Sequence, residues 1–455
     1  MTNRGRTVFA LSLLFAVNTM NFFDRQILGA VTEPIRKEWG VSDTWMGVLG
    51  TAFTLVYAAV GLPFGRLTDK AKRTRLLAGG VFVWSLLTAA SGVAMNYWQL
   101  FAYRLGVGVG EATCAPASTS LIGDLYPASK RAKALSIFML GLPIGIALSF
   151  AVSGWVAHSY GWRSAFYVAG IPGLICAIAA LKIHEPERGA TELHDIGSMK
   201  REGSPFLLVL SIPTMWWLIA SGALHNFNMY AIGSFLSPFL QRYHGMDIRQ
   251  AGFVSMVVYG LSGVPGLILG GIAGDAVMRR RTNGRLLVGT VAILISVPFI
   301  FFALGAPRGE MVTFISLMGM GVGVMYAYYS TVYSTIQDVI EPSLRGTAMA
   351  LYFFAMYVLG ASLGPVGTGF ASDYFTAQAA AAAGVGELTK ETLEPFRAEG
   401  LHSAMYIIPA LGALLMLVLF AASRTVSKDM EKLQRWMRDS TARPSVVDAK
   451  VEVAK

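Results

Sequence analysis

Asp24 and Arg25 sit side by side in the apolar stretch 19–28, and Arg104 and Glu111 sit seven residues apart in the apolar stretch 101–112. An ionisable side chain in such surroundings costs several kcal/mol even after snorkelling, so each is a candidate for work rather than for structure. Two kinds of chemistry suit these types. A pair of arginines in a dry cavity can grip an anion through planar oxygens, two hydrogen bonds at a time. A carboxyl near the middle of a membrane can take up and release a proton. Glu111 fits the second role, with Asp24 beside it. No basic residue lies within one turn of Glu111, and Gly106, Gly108 and Gly110 strip bulk from its neighbourhood. Glu111 is therefore expected to stand without a partner.

Depth can be counted along the helices. Asp24 lies six residues before the expected outer end of its span, and Arg104 six residues into its own, ~9 Å from the surface in each case. Glu111 is then ~10 Å deeper and on the same helix face as Arg104. The bland alternative for Asp24 and Arg104 is a static buried pair. The matching stretches of the second half hold no Asp, Glu, Lys or Arg at depth. They offer His225, Asn226 and Asn228, then Tyr326, Tyr328, Tyr329 and Tyr333, then Tyr352 and Tyr357. The expected substrate-binding set is Arg25, Arg104, Asn21, His225, Asn226, Asn228, Tyr326, Tyr329 and Tyr357. Aromatic stripes also serve as packing or interface belts, and His225 as a satisfied core histidine.

Long helices must position these groups. The chain has 455 residues, 54% hydrophobic and 14% charged, against about 25% charged in soluble domains. Twelve apolar runs of membrane-spanning length follow one another, roughly 7–30, 45–65, 76–95, 98–122, 134–157, 164–183, 213–239, 250–272, 286–304, 310–336, 347–372 and 402–423. The first reads as a span, not a cleaved signal, because it is too long and no small-residue cleavage site follows. Strand-like alternation is absent, which disfavours a β-barrel. Placing the N-terminus inside puts 27 of the 37 Lys and Arg in inner segments, so both termini are expected in the cytoplasm. The net charge of +10 is thus a topology signal and not a nucleic-acid footprint. Cys114 and Cys176 fall in apolar runs and the six histidines lack ligand spacing, so neither a disulfide nor a metal site is expected.

The chain also repeats itself. A polar linker, 184–205, separates residues 1–183 from 206–423, with a tail at 424–455. Gly65, Asp69, Lys70 and Arg73 follow span two, and Gly271 and Asp275 follow span eight with Arg279, Arg280 and Arg281 behind them. Asp124 and Arg131 after span four match Asp338 and Arg345 after span ten. Gly141, Pro143 and Gly145 in span five match Gly360, Gly364 and Pro365 in span eleven, where bending is expected. The fold class is an all-α membrane protein of two pseudo-symmetric six-helix bundles, a parallel repeat.

The Gly-x-x-x-Asp-Lys loop at 65–70 resembles the signature of the major facilitator superfamily. Segments 21–25, 103–112 and 135–145 resemble its Spinster family more closely. That resemblance implies export of lysolipid-like amphiphiles, a cavity lined by Asp24, Arg25, Arg104 and Glu111, and a loop that latches the cytoplasmic ends together in the outward-open state. The expected protein is a secondary transporter of an anionic amphiphile, driven by a proton gradient and needing no cofactor. It would act as a monomer in a bacterial inner membrane. The alternative is a proton symporter for a small organic anion such as an aromatic or sugar acid. A passive channel is disfavoured by the two matched halves with motif-bearing loops, and an enzyme by the want of a nucleophile–base pair or phosphate loop; Gly106–Gly110 lies mid-span.

Overall fold

A computed structural model of the chain describes residues 3–187, 204–341 and 344–441. All regular structure among them is helical. The first half runs α1 (Asn3–Trp39), α2 (Asp43–Lys70), α3 (Arg73–Ser91), α4 (Tyr97–Glu111), α5 (Cys114–Leu125), α6 (Ala128–Met139), α7 (Gly141–Tyr160) and α8 (Trp162–Ala180). The second runs α9 (Pro205–Leu210), α10 (Pro213–Arg242), α11 (Ile248–Ser255), α12 (Gly263–Met278), α13 (Gly284–Leu304), α14 (Met311–Met325), α15 (Ala327–Val339), α16 (Arg345–Ala355), α17 (Leu363–Ala382), α18 (Lys390–Leu393), α19 (Arg397–Met405) and α20 (Ile407–Thr441). Most of the linker, 188–203, and the tail beyond Thr441 lie outside the described residues.

Among the described residues, ten helical stretches are long and apolar enough to cross a membrane. Two runs read as spans fall below that mark for physical reasons. The fourth is broken at Ala112 and Thr113 into α4 and α5, and α10 dilutes its apolar residues with His225, Asn226 and Asn228. Span boundaries also move, as where α17 runs past residue 372 to Ala382. Helix α1 continues past residue 30 to Trp39, because Arg36 and Lys37 both pair with Glu33, at 2.9 and 3.4 Å. Helix α20 extends the last span unbroken to Thr441.

Glycine sets the helix crossings in both halves. A Cβ on Gly141 would sit 2.9 Å from the Thr19 amide, and one on Gly145 would run into the Thr19 carbonyl. In the second half, a Cβ on Gly364 would lie 2.5 Å from the Phe227 carbonyl, and one on Gly360 would meet Ala223. The expected bends fall here too: the chain breaks at Leu140 between α6 and α7, and a π-helical turn, Met356–Ala361, joins α16 to α17. A second π turn, Met256–Leu261, joins α11 to α12. Each π turn ends in Gly-x-Ser. The Ser262 and Ser362 amides bond five residues back, at 3.0 and 2.9 Å, while their hydroxyls donate four residues back at 2.5 Å. A serine that competes for the backbone in this way loosens the α ladder, and such turns gather at working sites.

The start of α10 and the end of α20 meet at one face, called terminal below. Asp429 near the end of α20 accepts from the amide and hydroxyl of Thr214 at the start of α10, at 3.0 and 2.7 Å. On the opposite, distal face the halves are fused. Phe23, Ile27, Val31 and Leu49 of the first half share one apolar core with Phe235, Tyr259 and Met325 of the second. Leu14, Trp84, Leu121 and Phe138, nearer the terminal face, form a separate core within the first half. Ionic contacts follow the same division. Arg242 of α10 grips Asp43 of α2 with two bonds of 2.7 and 2.8 Å. Arg36 of α1 holds Glu394 at 2.5 and 3.0 Å.

Candidate functional site

Asp24 and Arg25 are neighbours on α1 and so project about 100° apart. Asp24 turns toward α3, where its Oδ2 accepts from the Thr88 hydroxyl at 3.2 Å. Arg25 turns toward the seam between the halves. Its Nε donates to Glu111 Oε2 at 2.8 Å, and its Nη1 donates to the Tyr357 hydroxyl at 3.3 Å. Tyr357 stands on the π turn before α17, so one guanidinium spans both halves. That guanidinium also lies over the Tyr57 ring at 4.2 Å and near Phe22 at 5.1 Å. Phe53 is shared: Arg104 lies 4.9 Å from its centroid and Arg25 5.7 Å. Arg104 Nη1 donates to the backbone carbonyl of Asp24 at 3.4 Å. Asn21 is buried one turn before Asp24 and Arg25.

Glu111 is not the isolated group expected from its own helix. It is fully buried and paired with Arg25. A search within one turn of α4 misses a partner that arrives from α1. The counted depths mislead as well, because α1 ends at Trp39, fifteen residues beyond Asp24, rather than six. The static Asp24–Arg104 pair is also not what forms, since the Asp24 carboxylate takes its hydrogen bond from Thr88. Three buried polar atoms of this centre, Asp24 Oδ1, Glu111 Oε1 and Arg104 Nε, have no hydrogen-bond partner among the described residues. The centre therefore keeps unused capacity for both an anion and a proton.

The second half faces this centre with aromatic rings. Tyr357 meets Tyr57 at 5.2 Å and Tyr230 at 6.3 Å between centroids. His225 is buried, stacked 3.9 Å from Tyr328 with its edge contact to Tyr329 at 4.6 Å, and neither ring nitrogen is hydrogen-bonded. Hydroxyls of Ser221, Tyr328 and Tyr352 form a chain with links of 2.8 and 2.9 Å. Other candidates are occupied elsewhere. Asn226 donates to Gly222 of its own helix at 3.1 Å, Asn228 to the Ile408 carbonyl of α20 at 3.1 Å, and Tyr326 to the Tyr259 carbonyl at 2.9 Å. Tyr57, Phe53, Thr88 and Tyr230 were not singled out from sequence. Only a ring or hydroxyl one helix away from a buried charge would have pointed to them.

At the terminal face, the loop groups tie each half to itself. Arg73 pairs with Asp124 and with Glu185, the latter at 2.8 Å. Glu185 also accepts from the Thr74 amide at 2.9 Å; although burial pushes its pKa up, the Thr74 and Arg73 bonds outweigh that and hold it below the usual carboxylate range. Arg285, another residue not singled out, pairs with Asp275 at 2.7 Å and with Asp338. Asp275 is thus served from α13 rather than by Arg279–Arg281. Arg345 donates to the Gln337 carbonyl at 3.2 Å. Gly271 packs near Ser330, and a Cβ on Gly65 would meet nothing within 4 Å. Lys70 ends α2 and is exposed, Arg131 lies on α6, and the Asp69 side chain falls outside the described residues.

The glycines of α4 let it approach its neighbours. A Cβ on Gly108 would lie 2.9 Å from the Phe53 carbonyl, and one on Gly110 would lie 2.8 Å from the Gly80 carbonyl. On α3, a Cβ on Gly80 would sit 2.8 Å from the Gly110 carbonyl, while one on Gly79 would meet nothing within 4 Å. Gly80→Ala is therefore expected to destabilise the protein by about 1–3 kcal/mol through overpacking. Gly79→Ala, on the next residue, is expected not to. Thermal unfolding in detergent separates the two, and equal midpoints would contradict the close α3–α4 crossing.

A sequence model of the Major Facilitator Superfamily matches residues 14–365. An MFS-type efflux pump of Mycolicibacterium smegmatis is 26% identical over 81% of this chain and 85% of its own length. Protein spinster homolog 1 of Mus musculus is 28% identical over 82% of this chain and 74% of its own. Among solved structures, a bacterial homolog of the human lysosomal transporter Spinster, inward-facing and unoccupied, superposes with a TM-score of 0.82. It is 26% identical and covers 93% of this chain and 98% of that one.

Proposed function

The chain belongs to the Major Facilitator Superfamily as a multi-pass membrane transporter similar to the Spinster proteins, and from that premise we propose that it moves an anionic amphiphile by proton-coupled alternating access. The observation that carries this reading is the position of Arg25. Its guanidinium is shared between Glu111 of the first half and Tyr357 of the second. A buried carboxylate and a buried guanidinium hold each other because neither tolerates being alone. When Glu111 takes a proton, that reason disappears and Arg25 is released toward a substrate anion, with Arg104 as its second grip. Asp24, hydrogen-bonded through one oxygen only, is the second proton site. The rings of Tyr57, Tyr230, Tyr329 and Tyr357 suit the apolar part of such a substrate. Tyr326 leaves the proposed binding set, because its hydroxyl is used for helix packing, whereas Asn228 stays in it with a buried, unpartnered Oδ1.

The state follows from the same contacts. Fusion of the halves at the distal face, with the Arg73 and Arg285 groups tied within their own halves, supports a protein open toward its terminal face. Lys and Arg concentrate there, which supports a cytoplasmic assignment for both termini. A bacterial inner membrane, a monomer and a proton gradient as driving force complete the proposal.

The test uses proteoliposomes under an imposed pH gradient, with a lysolipid and an aromatic acid as competing substrates. The wild-type chain should accumulate the lysolipid in proportion to the gradient, with weak competition from the acid. Glu111→Gln should still bind the lysolipid and lose the dependence on the gradient. Unchanged proton dependence in Glu111→Gln would remove Glu111 from the coupling role.

A further inference from the structure

A second cleft lies far from Arg25, on the distal side where α7 meets α11. It encloses about 760 Å³ and is lined by Ala151 and Trp155 of α7, by His244 and Met246 of the loop after α10, and by Arg249 and Phe253 of α11, among others. Beside the cleft, α7 and α11 cross closely. A Cβ on Gly154 would lie 2.8 Å from the Ile248 carbonyl, and one on Gly252 2.5 Å from the Phe150 carbonyl. The mouth carries large apolar surface, with Trp155 52% exposed and Phe253 59%. In a chain that crosses the membrane, such rings at a helix end face lipid, with the aromatic part at headgroup level.

The polar groups at the rim are donors. Arg249 is exposed and forms no ion pair among the described residues, in contrast to Arg308 nearby, which pairs with Glu399 and lies 4.9 Å over Tyr243. His244 Nδ1 accepts from the Gly309 amide at 3.4 Å, which leaves the proton of a neutral ring on Nε2. That Nε2 is buried and has no partner. Burial, with His402 and Arg308 close by, holds the His244 pKa below its ordinary value and keeps the ring neutral. The acid of this loop, Asp247, is engaged with the Gln250 amide at 2.8 Å as the cap of α11. Two donors above an apolar slot open to the bilayer complement a phosphodiester with an acyl chain beneath it.

We propose that this cleft seats a membrane phospholipid of the distal leaflet, its phosphate on Arg249 and His244 Nε2 and one chain along Trp155 and Phe253, across the seam between the halves. The site is separate from the Arg25 centre and does not depend on what that centre transports.

The test is native mass spectrometry of the purified full chain titrated with palmitoyl-oleoyl phosphatidylglycerol. The wild-type chain should hold one tightly bound lipid. Arg249→Glu, a surface change, should weaken its binding about tenfold through loss of the charge-assisted contact and added repulsion. Ala151→Trp should block the slot and remove the bound lipid while the chain stays monodisperse. Arg25→Ala combined with Glu111→Gln, which removes the central grip without stranding a buried charge, should keep it. Retention in both Arg249→Glu and Ala151→Trp would overturn the proposal. So would loss in that double variant, which would place the lipid in the central site, or displacement by millimolar inorganic phosphate, which would make the site a reader of free anions.

Discussion

Arg25→Ala should bring transport to background and cost about 3–5 kcal/mol of stability, whereas Arg25→Ala with Glu111→Gln should recover most of the stability and none of the transport. The stability figure is the usual cost of leaving a buried charge without its partner. Glu111 is fully buried, and Arg25 Nε is its bonded cation at 2.8 Å. Making residue 111 neutral removes the stranded charge, so the two changes should be strongly non-additive. Transport behaves differently because it needs the guanidinium itself, for the Tyr357 bond, the stack on Tyr57 and the anion. Arg25→Lys keeps the charge but not the planar fork, so it should fold well and transport poorly. Denaturant unfolding in detergent and proteoliposome uptake read the two properties separately. Additive stability losses would mean that Arg25 and Glu111 do not depend on each other, and the proposed release on protonation would fail with them.

The parts legible in the sequence are those with a local pattern. Apolar runs gave the helices, the Gly-x-x-x-Asp repeat gave the two halves, and four charges in apolar stretches marked the centre. Partners brought together from distant segments were not legible. Arg25 reaches Glu111 from 86 positions away, and Arg242 reaches Asp43 from 199. Hydropathy ended the first span at residue 30 because charges begin soon after, yet Glu33, Arg36 and Lys37 neutralise one another and the helix runs on. Asn228 looked like a substrate contact because it is polar at depth. Its Nδ2 satisfies a backbone carbonyl of α20, an equally good reason for an asparagine in a membrane, while its Oδ1 has no partner among the described residues. Gly-x-Ser also recurs at 260–262 and 360–362, where both π turns end. Glu33, Arg36, Asp43, Arg242 and Arg397 lie near the distal ends of their helices, where ionic contacts between the halves are free to form, and Asp373 joins them from the middle of α17.

Those distal charges carry the second large effect. Asp373 of α17 caps a helix of the other half. Its carboxylate accepts from the Asp43 and Thr44 amides at 3.1 and 2.8 Å and from the Thr44 hydroxyl at 2.5 Å, and it meets Arg397 at 3.2 Å. A carboxylate at a helix N-terminus satisfies amides that otherwise have no partner and complements the helix dipole. Asp43 in turn is buried, held by Arg242 and by the Ser372 hydroxyl at 2.6 Å, while Arg242 also holds Glu33 at 2.6 Å. Opening the distal face must break this network as one unit, so its strength sets the balance between the two states. Asp373→Ala removes all four bonds to that carboxylate without touching the central site. A loss of about 2–4 kcal/mol from the closed state corresponds to a shift of roughly 30- to 1,000-fold toward the distal-open state. Asp373→Asn keeps an acceptor oxygen and should fall between. Spin labels at Met95 and Val312, both exposed on the distal side of opposite halves, report the separation directly. The wild-type chain should show the short distance and Asp373→Ala a dominant long one. Transport should slow in the same variant, because the return to the closed state becomes the difficult step. An unchanged distance distribution in Asp373→Ala would mean that the remaining ion pairs and the apolar seam hold the distal face shut without Asp373, with Gly29 against Gly233 and Gly369 against Asp43 among the close approaches.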